Sequence, residues 1–108
     1  MTTTVTFEVI GSSTTLRSIL WRTPDGDTTD PVSSGTLPWS KTVEITAVEG
    51  VLFVNAPAYA AGVSDPNGSL SCRVTVDGLV VEQDGPSSTG PRCWTTVQRA
   101  LKAKAEQH

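Results

Sequence analysis

A small antiparallel β-sandwich is the fold that the sequence predicts, on three observations. Short segments of alternating apolar and polar residues recur at roughly ten-residue spacing. Turn chemistry built from Gly, Pro, Asp and Asn stands between them. Threonine and serine supply about a quarter of the 108 residues, whereas charged residues are 18%. That balance favours pleated strands and polar loops over a helical bundle, since Thr packs well on a strand and the usual charged share is ~25%. About seven strands fit residues 1–97, and residues 98–108 form a short C-terminal helix or flexible tail. Area scaling leaves about two-thirds of the unfolded chain's surface to bury, enough for one modest core and no second domain.

In chain order, Thr4 to Ile10 alternates, with Val5, Phe7 and Val9 on one face and Thr4, Thr6 and Glu8 on the other. Gly11-Ser12-Ser13 is expected to break this strand. Leu16 to Arg22 resumes an extended pattern in which Ile19 and Trp21 share a face. Thr23-Pro24-Asp25-Gly26-Asp27 reads as a tight turn, because Pro presets φ and Gly tolerates positive φ. The polar stretch from Thr28 to Thr36 has room for a short edge strand around Val32.

Lys41 to Val48 is the clearest period-2 segment, with Val43, Ile45 and Ala47 alternating against Thr42, Glu44 and Thr46. Glu49-Gly50 turns the chain. Val51 to Asn55 is nearly all apolar, as expected of a central strand covered on both faces. Pro57 to Gly68 reads as a loop that closes on Asp65-Pro66-Asn67-Gly68, a strong turn signal. Leu70, Cys72, Val74 and Val76 then point one way, and Leu79 to Glu82 is the partner strand. The Asp77-Gly78 pair between them predicts a type I′ hairpin, whose two central residues both need positive φ. Asp84 to Pro91 reads as a polar loop and Arg92 to Val97 as a last strand. The Ala-, Lys- and Gln-rich tail places Val97, Leu101 and Lys104 or Ala105 at helical spacing.

Composition narrows the function classes. With eight basic and eleven acidic residues, the formal charge is −3 and the pI about 4.9. No basic-aromatic interleaving appears before the final residues, so nucleic acid is not an expected partner. No apolar stretch reaches the ~18 residues that a spanning helix needs, and Met1-Thr2-Thr3-Thr4 lacks the charged and apolar regions of a signal peptide. Membrane association is therefore expected only through an anchor that this chain does not carry. An enzyme is not expected either. The single histidine, His108, is a poor catalytic base at the chain end, and no carboxylate sits in an apolar run that would raise its pKa.

Cys72 and Cys93 are the only thiols. Their best reading is a structural disulfide, with two buried free thiols or a metal site as alternatives. Metal is disfavoured by the lone His and the lack of Cys-x-x-Cys spacing. Closing a loop of roughly 22 residues would stabilise the fold by about 3.4 kcal/mol on the chain-entropy account. A disulfide in turn places the domain in an oxidising compartment, outside the cytoplasmic membrane. Asp25, Asp27 and Asp30 cluster in one turn, but without the glycine placement and terminal Glu of a Ca²⁺ loop they read as solvated carboxylates. No cofactor and no metal are expected.

The aromatic residues are the candidates for a partner or ligand surface. Trp94 follows Cys93, so on a regular strand it faces away from the disulfide and toward solvent. Trp39, after Pro38, and Trp21 either pack in the core or anchor a partner; the core is the commoner fate. Tyr59, in the small apolar segment Ala56 to Val63, is placed to line a groove or cap the sandwich.

Four segments together resemble one family. Val5-Thr6-Phe7-Glu8-Val9-Ile10-Gly11, Leu37-Pro38-Trp39-Ser40-Lys41-Thr42-Val43, Leu70-Ser71-Cys72-Arg73-Val74-Thr75-Val76-Asp77-Gly78 and the closing Cys93 are similar in order and spacing to the extracytoplasmic domain of the mycobacterial membrane protein small (MmpS) family. The resemblance implies an immunoglobulin-like β-sandwich tethered by an N-terminal membrane helix and facing the periplasm of an actinobacterium. It further implies an accessory role beside RND-type MmpL transporters that export lipids, siderophores or drugs, with the transporter or a lipid-like cargo as partner. Cys72 and Cys93 match the family's cysteine pair, and Trp39 falls on its Pro-Trp motif, for which no catalytic role is implied. The alternative is a stand-alone secreted or virion-associated binding module that assembles as a homo-oligomer through its C-terminal helix.

Overall fold

The computed structural model describes residues 2–12, 18–31, 38–55, 59–60, 63–64, 69–87 and 91–106. Two four-stranded antiparallel sheets face each other. One has the order β4-β1-β8-β9, built from β1 (Thr3–Ser12), β4 (Trp39–Ile45), β8 (Ser69–Val76) and β9 (Leu79–Ser87). The other has the order β10-β5-β2-β3, built from β2 (Ser18–Thr23), β3 (Gly26–Pro31), β5 (Val51–Asn55) and β10 (Arg92–Thr96). A two-stranded ribbon pairs β6 (Tyr59–Ala60) with β7 (Val63–Ser64), and α1 (Val97–Ala105) follows β10 directly. The likeness to an immunoglobulin domain is one of architecture, two face-to-face sheets joined by a disulfide, with a strand order of its own.

Alternation in the sequence becomes the core between the sheets. Val5, Phe7 and Val9 of β1 stand opposite Val76, Val74 and Cys72 of β8, and all six are essentially buried. From the other sheet come Ile19 and Trp21 of β2, Leu52 and Val54 of β5, and Cys93 of β10. The Phe7 and Trp21 rings meet with centroids 5.7 Å apart and planes tilted by 34°, within the range that favours aromatic pairs. Trp21 is thus a core residue, and its indole Nε1–H donates to Asp30 at 3.3 Å.

The Asp77-Gly78 hairpin forms as expected, with φ of 49° and 88° at the two turn residues and Val76 opposite Leu79. Pro24 and Asp25 likewise form the two-residue link between β2 and β3. Three boundaries differ from the sequence expectation, each for a physical reason. Gly11-Ser12 does not break β1: the strand runs through Gly11, whose φ of 119° and close approach to the Ser69 carbonyl no side chain would permit. The edge strand after the β2 turn is Gly26–Pro31, directly at the turn, whereas Val32 lies outside the described residues. Its Asp- and Thr-rich sequence hides it from a hydrophobic scan, as suits an edge that must not recruit other strands. Third, β9 extends through Gly85-Pro86, which had read as loop. A register shift lets Ser87 pair with Leu70, and Pro is tolerated on this edge strand. The turn Asp65 to Gly68 lies outside the described residues.

The tail is a helix. Thr96 caps its N-terminus by accepting from Arg99 N–H at 3.2 Å, and Val97 and Ala100 are buried against the end of the sandwich. Val97 N–H donates to the Gly50 carbonyl at 2.9 Å. At the far end Lys104 reaches the Asp77 carboxylate, whose other oxygen accepts from Thr4 N–H at 2.9 Å. Hairpin, first strand and helix are thereby tied at one end of the molecule. Lys104 and that backbone donor hold the Asp77 carboxyl below the usual carboxylate range.

Candidate functional site

The outer faces of the two sheets differ in chemistry, and the difference singles out one of them. On the β4-β1-β8-β9 sheet the outward positions are mostly polar and carry no aromatic residue among those described, with the aliphatic Ile10 and Val80 exposed between them. Thr6 and Thr42 lie opposite each other with their hydroxyls 3.1 Å apart, and Arg73 bridges to Glu8 across β8 and β1 at 3.1 Å. On the β10-β5-β2-β3 sheet, directly opposed outward positions form a row of Trp94, Phe53, Arg22 and Asp27. The next row is Arg92, Asn55, Leu20 and Thr29, and Val51 sits opposite Thr96 beyond them. Trp94 is 47% exposed, and Phe53, Leu20 and Val51 are half-buried. This face therefore offers an aromatic and aliphatic strip between two arginines, the composition that anchors partners at interfaces.

Its charges are unequal. Arg22 donates to both carboxylate oxygens of Asp27, from Nε to Oδ1 and from Nη2 to Oδ2 at 2.9 Å, and this contact holds the Asp27 carboxyl below its ordinary pKa. Such an exposed pair adds little stability, but it fixes the Arg22 side chain along the sheet and neutralises it. Arg92 is in no ion pair among the described residues; its backbone N–H donates to Asp84 at 2.9 Å.

The sequence candidates are distributed as follows. Trp94 is where alternation from Cys93 puts it, on the solvent side. Trp39 opposes Val9 at the start of β4, half-buried against the core, on the inward side of the other sheet. The structure therefore does not bring Trp39 and Trp94 to one surface. Tyr59 pairs with Ser64 in the β6–β7 ribbon, and its side chain lies outside the described residues. Cys72 and Cys93 form the disulfide, with Cα atoms 6.1 Å apart, and it staples β8 of one sheet to β10 of the other. Free thiols are thus excluded. The acidic cluster is dispersed: Asp27 faces outward to Arg22, while Asp30, opposite Ile19, faces inward to Trp21. Among the described residues no group of three potential metal ligands converges.

Sequence reasoning missed Phe53, Leu20 and Val51 as surface residues. Val51 to Asn55 was expected to be covered on both faces; instead only Leu52 and Val54 are fully buried, on the side facing the other sheet. The signal was present all the same. A strand that is apolar on both faces, in a sandwich with only one buried side, must show apolar residues on its outer face.

A comparison with protein families settles what kind of chain carries this face. The model described as Mycobacterium membrane protein, an MmpS-type family, matches residues 2–100. The chain belongs to this family. The match spans both sheets, both cysteines and the first turn of α1. No curated protein matches the chain. Among the described residues no helix is long and apolar enough to cross a membrane; the two sheets form a β-sandwich of a membrane-associated family.

Proposed function

We propose that this MmpS-type domain is a non-enzymatic accessory module, working on the extracytoplasmic side of the membrane beside an RND-type MmpL transporter that exports lipids, siderophores or drugs. The reading is supported by the family and by the buried disulfide, which belongs to an oxidising compartment. The observation that carries the contact surface is the Trp94, Phe53 and Arg22 row on the outer face of the β10-β5-β2-β3 sheet. A large exposed indole beside a second aromatic residue and flanking arginines is the usual make-up of an interface centre, where truncation of one Trp costs about 2 kcal/mol or more of binding. Nothing in this role requires a titrating group or a cofactor.

The test is site-directed photo-crosslinking in an actinobacterial host that expresses the transporter together with the full-length protein. A photoreactive residue at Trp94 or Leu20 should capture the transporter, whereas one at Thr42 or Thr6, on the polar outer face of the other sheet, should not. Capture from Thr42 and Thr6 alone, or from none of the four positions, would overturn the assignment.

A further inference from the structure

The outer face of the β10-β5-β2-β3 sheet carries opposite charges at its two ends. Arg22 and Asp27 cancel each other, which leaves Arg92 as the strand charge on this face that is in no ion pair among the described residues. Arg92 is exposed at the start of β10, with Asn55 opposite it on β5. Followed back toward its start, β5 reaches Val51 opposite Thr96, and Glu49 stands two residues before Val51. Glu49 is exposed and also in no ion pair among the described residues. At a strand rise of ~3.3 Å per residue, Asn55 and Glu49 are at most about 20 Å apart. Trp94, Phe53 and Val51 fill the interval.

Glu49 borders an open hollow of about 540 Å³, walled also by Arg22, Pro24, Asp27, Val51 and Gln98, all of them exposed or half-buried. Backbone packing holds its shape. Gly50, with φ of 124°, lies so close to Pro24 that an added Cβ would come within 2.8 Å of the proline Cγ, and Gly50 N–H donates to the Gln98 side chain at 3.3 Å. Because the Arg22–Asp27 pair is neutral, Glu49 sets the charge of the hollow. We infer that the partner docks on this face in a single orientation: an acidic side chain meets Arg92 and Asn55 at one end, a lysine or arginine enters the hollow beside Glu49 at the other, and an apolar ridge lies over Trp94 and Phe53 between them. The inference rests on the transporter reading for who the partner is, and adds the chemistry of the partner's surface. A guanidinium presents planar paired donors that fit a carboxylate, and the Asn55 amide stands beside it. A partner turned through half a revolution would bring like charges together at both ends, and such charges at an interface rim fix register and suppress wrong poses more than they add affinity.

The experiment measures transporter capture by a photoreactive residue at Leu20, in the full-length protein expressed with the transporter, as single charges are reversed. Arg92→Glu and Glu49→Lys should each lower capture roughly three- to tenfold, and the neutral Arg92→Gln and Glu49→Gln by less. Both side chains are exposed and in no ion pair among the described residues, so the variants keep the fold. Lys102→Glu on α1 and Glu44→Lys on the outer face of β4 make the same charge changes at exposed positions elsewhere, and should leave capture unchanged. Full capture by either Arg92→Glu or Glu49→Lys, or an equal loss in Lys102→Glu and Glu44→Lys, would overturn the fixed orientation while the transporter reading stands. Absence of capture by the protein without charge reversal would instead overturn that reading, and this inference with it.

Discussion

Removing the Cys72–Cys93 bridge should cost this domain a large share of its stability. The two residues are 21 apart in sequence, so in the unfolded chain the bond closes a loop worth about 3.4 kcal/mol on the chain-entropy account. A chain of 108 residues is typically stable by roughly 5–16 kcal/mol, so the loss is between a fifth and two-thirds of the total. The location adds to it. Among the described residues β10 pairs with β5 alone, and the bridge ties it to the opposite sheet through two cysteines that are at most 1% exposed. Replacing both by Ala leaves small voids where the sulfurs packed, which adds to the loss. The assay is urea denaturation of the Cys72→Ala/Cys93→Ala protein against the oxidised parent, followed by far-ultraviolet circular dichroism. The midpoint should fall by roughly 2 M, and the thermal midpoint by about 15–25 °C. A fall of less than about 0.5 M, with unchanged slope, would refute the reasoning. It would mean that β10 is held by its ladder to β5 and by α1, and that the bridge adds little.

Three further outcomes are expected. Gly11→Ala should destabilise by at least about 2 kcal/mol, since φ is 119° there and the added methyl would lie 1.9 Å from the Ser69 carbonyl oxygen; Gly26→Ala, with φ of 133° but open space around it, should cost only the backbone strain of about 1 kcal/mol. Equal losses at the two sites in chemical denaturation would contradict the close approach. The Asp77 carboxyl is held below its ordinary pKa by Lys104 first and Thr4 N–H second, so its stabilising effect is present above the unfolded value of 3.8 and is lost as pH falls through the lower folded value. A thermal-midpoint profile should accordingly decline on acidification below about pH 4 more steeply for the parent than for Asp77→Asn, and parallel profiles would rule this out. Trp94→Ala should lower the thermal midpoint by no more than a few degrees, because the indole is 47% exposed, while abolishing the crosslink expected from the Leu20 position on the same face. A loss of folding in this variant would show Trp94 to be structural.

Much of this molecule was legible because strand periodicity is local. Val5, Phe7 and Val9, or Leu70, Cys72, Val74 and Val76, show their buried side from spacing alone, and Asp77-Gly78 announces its hairpin through the φ values that only such residues adopt easily. The polar edge strand β3 and the continuation of β9 through Gly85-Pro86 were hidden because backbone pairing, rather than side-chain hydrophobicity, makes them strands. Trp94 was found as a surface residue because its neighbour Cys93 fixed the inward face. Phe53 and Leu20 were not, because no such marker stands beside them.

By itself the sequence determined the class of fold, the side of each regular strand that enters the core, and the two cysteines available to join the sheets. Only the tertiary structure decided which strands are neighbours. Contacts such as Thr4 to Asp77 and Glu8 to Arg73 connect residues 73 and 65 positions apart, and no local pattern encodes them. From that order follow the Trp94, Phe53 and Arg22 row, contributed by three strands far apart in the chain, and the stapling of β8 to β10 by the disulfide. The physical reason is that alternation fixes a residue's face within its own strand, whereas a surface or a cleft is made by the register between strands.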